Sequence, residues 1–121
     1  MSYVRDRAAE RVLVEAFVKV HGADGRQHLF RTRDLSEQGL FLATKVAHVY
    51  PFKVGSTLQL ELYDADQHIA CTVVVVRIVE PGTAESDAFP AGFGLRIVEC
   101  SEASRRALAA MIQRIKAGKA Y

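Results

Sequence analysis

The chain has no tryptophan, two cysteines and three prolines, and its net charge is only +2. It holds no apolar run close to the roughly 20 residues that cross a bilayer as a helix. Each shortage excludes something. Without tryptophan, and with many of the phenylalanines and tyrosines placed for packing, the chain is short of the stacking platforms by which small barrels hold single-stranded nucleic acid. A charge of +2 with a pI near 8.7 is too mild for a protein that coats a duplex, so no DNA or RNA polymer is expected as partner. The polar start MSYVRDRAAER has no apolar signal-peptide core, so the protein is expected in the cytoplasm without membrane insertion. Cys71 lies inside an apolar run and Cys100 at the end of another; neither has metal-site or redox-motif spacing, and both read as small buried hydrophobes. His21, His28, His48 and His68 are scattered over turn-like or exposed positions without ligand spacing, so no metal is expected. There is no nucleophile elbow and no glycine-rich phosphate loop opening a helix, hence no reason to expect an enzyme.

What is present is a series of short strands. At 121 residues, half of them hydrophobic, the chain suits one domain with its own core. Residues 11–20, RVLVEAFVKV, put Val12, Val14, Ala16, Val18 and Val20 on one face, and HGADG supplies a turn. A second strand is predicted over about 26–34, and LFLAT continues after DLSEQG. Beyond Pro51 and Gly55, TLQLELY alternates Leu58, Leu60 and Leu62 with polar residues. IACTVVVVRIVE is apolar on both faces in its middle, the pattern of a strand covered on both sides. PGTAESDAFPAG reads as a loop and GFGLRIVEC as a last strand.

The C-terminal segment changes period. Ser101 suits a helix N-cap and Glu102 the positive end of the dipole, while Ala103, Ala107, Leu108, Met111, Ile112 and Ile115 recur at helical spacing. Gly118 and the lysines at 116 and 119 mark the end. About six short strands with no intervening helix predict a mainly β fold, a six-stranded antiparallel barrel with a C-terminal α-helix packed on it.

Two features are left over. Arg7 and Arg11, in RAAER, precede the first strand; each guanidinium fork matches phosphate oxygens or the Hoogsteen edge of guanine, although two arginines near a terminus can equally be solvated charges. The corner DLSEQG sets Asp34, Ser36 and Gly39 at fixed offsets. That is ordinary turn chemistry, and it is also a pocket chemistry: the carboxylate accepts from a guanine N1–H and N2–H₂ pair, the hydroxyl reaches a base or phosphate, and glycine lets a flat ligand approach.

Taken together, RAAER and DLSEQG resemble the R-x-x-x-R and [D/N]-x-S-x-x-G motifs of PilZ domains, bacterial receptors for cyclic di-GMP. PFKVGSTLQLEL, CTVVVVRIVE and GFGLRIVE resemble later strands of the same family, so the likeness runs from about Arg5 to the terminal helix. It implies a PilZ-type barrel over residues 11–121, preceded by a flexible arm, residues 1–10, that carries the first motif. It also implies cyclic di-GMP as ligand, with Arg7 and Arg11 on its phosphates and guanine edges and Asp34, Ser36 and Gly39 lining the pocket, and an unidentified effector protein as partner. The alternative is a module of the same fold that acts on partners without ligand. Ile97 stands where the family usually has phenylalanine, and Asp6 where many members carry the arginine that accompanies a second bound dinucleotide. One cyclic di-GMP per protomer is therefore expected.

Overall fold

The computed structural model describes residues 12–14, 16–22, 24–64, 67–83 and 91–119. Within them, seven strands and one long helix follow in order: β1 (Val12–Leu13), β2 (Phe17–His21), β3 (Gln27–Leu35), β4 (Gly39–Ala43), β5 (Thr57–Asp64), β6 (Gln67–Val79), β7 (Gly92–Cys100) and α1 (Glu102–Lys119). A single 3-10 turn at Ala47–Val49 lies between β4 and β5. Every pairing is antiparallel, in the order β1-β3-β2-β5-β6-β7-β4, and β4 returns to β3. Six strands thus close a barrel, and β1 is an extra strand on the far end of β3. Closure leaves few unpaired edges, as the strand-rich, helix-poor sequence predicts.

Alternation sets the inside of the barrel. Val18 and Val20 of β2, Leu58, Leu60 and Leu62 of β5, and Val73 and Val75 of β6 are all buried. The four-valine run is not covered on both faces, contrary to the expectation from its composition. Val73 and Val75 point inward, but Val76 is 47% exposed, because a register shift between Val75 and Arg77 carries the strand over a barrel whose outer surface faces solvent there. Valine suits the outward places through its strand preference rather than through burial.

The strand expected over residues 11–20 has the predicted inward face but is divided into β1 and β2. Both lie along the same side of β3, and the buried Thr32 joins them across the gap. Its hydroxyl donates to the Val14 carbonyl at 2.6 Å and accepts from the Ala16 amide at 3.0 Å, while its own amide donates to the Ala16 carbonyl at 2.8 Å. One side chain thus satisfies two backbone groups that the interrupted ladder leaves over. Thr32→Val keeps the shape and removes both side-chain bonds, so it is expected to cost about 1–3 kcal/mol and lower the melting temperature by several degrees. An unchanged melting curve would show that the gap does not depend on Thr32.

The helix begins as its sequence predicts. The Ser101 hydroxyl accepts from the Ser104 amide at 3.1 Å, an N-cap bond, and Leu108, Met111 and Ile112 enter the core. Ala103, expected on the apolar stripe, is exposed; the neighbouring Ser104 is buried instead and accepts from the Ala70 amide of β6 at 3.0 Å, tying the first turn to the barrel. Arg114 donates to Asp64 further along.

The histidines are less scattered than their sequence positions imply. Glu61 bonds the Nε2 of His21 at 2.7 Å and that of His68 at 3.1 Å, and accepts from the Tyr63 hydroxyl at 3.1 Å. The bond to His21, then that to His68, holds its carboxyl below the usual carboxylate range. His28, expected to be exposed or in a turn, is half-buried, edge-on to Tyr50 and Phe52 with ring centroids 5.4 Å away. Among the described residues, no group of three or more His, Cys, Asp or Glu is arranged to hold a metal ion.

Candidate ligand-binding site

The DLSEQG corner is the hairpin between β3 and β4. Ser36 closes it: its amide donates to the Gly39 carbonyl at 2.8 Å, and its buried hydroxyl donates to the same carbonyl and accepts from the Gln38 and Gly39 amides, each at 3.2 Å. A hydroxyl has one donor and two acceptor positions, and the hairpin occupies all three. The Gln38 carbonyl then accepts from the Ile97 amide at 2.8 Å, which locks the hairpin tip to β7.

Gly39 has a steric reason to be glycine. It does not adopt a positive φ, but a Cβ there would lie 2.3 Å from the Leu95 carbonyl oxygen. The missing methyl group is what lets β4 and β7 approach at the corner. Gly92 on β7 has a related reason: a Cβ there would lie 1.9 Å from the Leu42 carbonyl oxygen and 2.9 Å from the Phe41 ring, at a φ of 145°.

Asp34 owes its direction to an irregularity. In the β3–β4 register Thr32 pairs with Leu42 and Asp34 with Phe41, so Arg33 is the extra residue of a bulge. Strict alternation would send Asp34 inward with Thr32. The bulge turns it to the outer face instead, and Leu35 resumes the inward series. Asp34 is left half-buried in a row of cross-strand partners that runs Leu13, Asp34, Phe41, Gly94, Arg77. Beside it, a cleft of about 280 Å³ is lined by Leu13, Val14, Arg31, Thr32, Arg33 and Ala43.

Of the residues singled out in sequence, Asp34, Ser36 and Gly39 fall at this one corner, while Arg7 and Arg11 lie outside the described residues. Val12, which follows Arg11 in the chain, pairs with Leu35, next to Ser36. The structure adds cations that sequence reasoning passed over. Arg31 and Arg33 line the cleft, Arg77 ends the row through Asp34, and Arg96 pairs with Gly39; all four are exposed. The alternation in RTRD was the available signal for the first two. Arg77 and Arg96 become neighbours of the corner only through strand pairing.

Several solved structures share this architecture. The Bacillus subtilis inhibitor of motility MotI/DgrA superposes with a TM-score of 0.73 at 17% identity, over 92% of this chain and 51% of that one, so this chain spans about half its length. The PilZ domain of Escherichia coli YcgR, solved with cyclic di-GMP, gives a TM-score of 0.71 at 17% identity over 92% of both chains. The PilZ domain of CeSA from a cellulose-synthesizing bacterium gives 0.63 at 14% identity, over 89% of this chain and 99% of that one. No curated protein sequence matches this chain. At these identities the likeness establishes the fold alone, but the sequence model of the PilZ domain matches residues 5–114. A six-stranded barrel with a terminal helix, the DLSEQG hairpin at its rim and a family match over nearly the whole chain have one common account: this chain belongs to the PilZ domain family.

Proposed function

We propose that the chain is a cyclic di-GMP receptor that works as an adaptor: it recognises the dinucleotide without transforming it and offers the altered surface to an effector protein. The observation that carries this reading is the outward turn of Asp34 by the Arg33 bulge, beside the arginine-lined cleft and the entry of β1. A carboxylate in that place accepts from the N1–H and N2–H₂ edge of a guanine, and the surrounding guanidiniums complement two phosphates. Arg7 and Arg11 supply the bidentate contacts to phosphate and guanine. Ser36 and Gly39 act one step removed: the first shapes the hairpin, the second brings β4 against β7, and both hold the corner that presents Asp34.

The adaptor half of the proposal draws on the same surface. Leu13, the pairing partner of Asp34, is 61% exposed, and Phe17 and Leu29 nearby on β2 and β3 are also exposed. Exposed apolar side chains that adjoin a charged ligand site suit a partner whose docking depends on what the ligand covers or orders. Motility, biofilm formation and polysaccharide synthesis are the outputs this reading favours, and the cytoplasm is its setting. No described helix is long and apolar enough to cross a membrane.

Asp34→Ala tests the guanine contact. It is expected to weaken cyclic di-GMP binding and, in the same variant, to abolish discrimination against cyclic di-AMP in a competition assay, because adenine lacks the N1–H and N2–H₂ donors. Weaker binding with discrimination intact would remove Asp34 from the base-reading role.

A further inference from the structure

Cys71 and Cys100 are 29 positions apart and carry no motif, yet the β6–β7 register makes them direct cross-strand partners with Sγ atoms 3.3 Å apart. We propose that this pair is a redox modification site, closing to an intramolecular disulfide when a peroxide reaches it and fastening the root of α1 to β6. Directly opposed residues of antiparallel strands have Cβ atoms roughly 4.5–5.5 Å apart, which overlaps the range from which a disulfide closes with small side-chain rotations.

The two thiols are not equivalent. Cys71 is buried, and burial, reinforced by the contact with Cys100, pushes its thiol up to about 12, against the opposing pull of Arg105 in the first turn of α1. Cys100 is half-exposed at the end of β7, and both sulfur-bearing residues line a surface cavity of about 300 Å³ with Gln59, Thr72, Glu99 and Ser101. Access therefore assigns the first step to Cys100. Its thiolate attacks one peroxide oxygen, the O–O bond breaks, and the departing hydroxide takes up a proton, leaving a sulfenic acid on Cys100 and one water. The Cys71 sulfur then attacks the Cys100 sulfur, the S–O bond breaks, and the hydroxide leaves as water with the Cys71 proton. Two thiols are oxidised to one disulfide, and one hydrogen peroxide is reduced to two waters.

The position gives the bond a structural effect. α1 begins at Glu102, two residues after Cys100, and its Ser104 already accepts from the amide of Ala70, the neighbour of Cys71. A covalent link at this point opposes any separation of the helix root from the barrel.

The test is treatment of the full chain with hydrogen peroxide, followed by alkylation of remaining thiols, digestion and mass spectrometry. The proposal expects both thiols to disappear, the peptides containing Cys71 and Cys100 to be joined within one chain, reversal by dithiothreitol, and a melting temperature raised by on the order of 10 °C in the oxidised form. Cys71→Ser should leave Cys100 as a sulfenic acid that dimedone traps. In Cys100→Ser, whose half-exposed site disturbs the core less, Cys71 should stay reduced under the same treatment. Two free thiols after peroxide, oxidation of Cys100 to a sulfinic acid with Cys71 still reduced, or a link only between chains would each overturn the assignment.

Discussion

Gly39→Ala is expected to destabilise the barrel by roughly 3 kcal/mol and lower its melting temperature by on the order of 10 °C. The added methyl group would lie 2.3 Å from the Leu95 carbonyl oxygen and 3.3 Å from the Arg96 Cα, both backbone atoms of β7 that cannot rotate away. Relief requires β4 and β7 to part where the Gln38 carbonyl also bonds the Ile97 amide, so a packing conflict becomes a loss of ladder hydrogen bonds. The entropy that alanine removes from the unfolded chain offsets less than about 1 kcal/mol of this. Gly118→Ala supplies the contrast. Its Cβ meets nothing within 4 Å and it lies in α1, so the same change there should stabilise by about 0.5–1 kcal/mol. Thermal melts of the two variants beside the parent check both signs, and a Gly39→Ala protein that melts with the parent would mean the corner has slack the geometry denies.

Arg7→Ala and Arg11→Ala should each weaken cyclic di-GMP binding by at least tenfold while leaving the melting temperature close to the parent's. A charge-assisted bond from a guanidinium contributes about 1.5–3 kcal/mol, and tenfold in affinity is about 1.4 kcal/mol, so the loss of one fork is enough. Both arginines precede Val12, where β1 begins, on a chain end at which few core contacts are expected. Their removal should therefore touch ligand bonds and little else. Matched losses in affinity and melting temperature would place the arginines in structural ion pairs.

The sequence shows the barrel well where burial follows a period of two. Leu58, Leu60 and Leu62 could be assigned to the core from their spacing, and Ser101 to the helix cap from residue type and position. It shows poorly whatever depends on register. No local pattern distinguishes an alternating RTRD from one bulged at Arg33, yet that single extra residue decides whether Asp34 faces core or solvent. Cys71 and Cys100 look unrelated in sequence because their proximity is created by a pairing that spans the β6–β7 connection. The valine run misled for a related reason: composition cannot tell a strand buried on both faces from one whose outward valines serve β-propensity alone. Ser36 and Gly39 were visible as turn residues, but the use of every hydrogen-bonding position of the hydroxyl, and the carbonyl that a Cβ would strike, depend on Gln38, Gly39 and Leu95 in three dimensions.

Calorimetric titration of the purified chain with cyclic di-GMP, run in parallel with GTP and cyclic di-AMP, tests the central claim most directly. The account predicts saturable heat for cyclic di-GMP alone, a Kd in the micromolar range, equivalent to about −8 kcal/mol, and one dinucleotide per chain, since a carboxylate at position 6 would repel a second. A folded protein that releases no heat with cyclic di-GMP at concentrations a hundredfold above that range would contradict it.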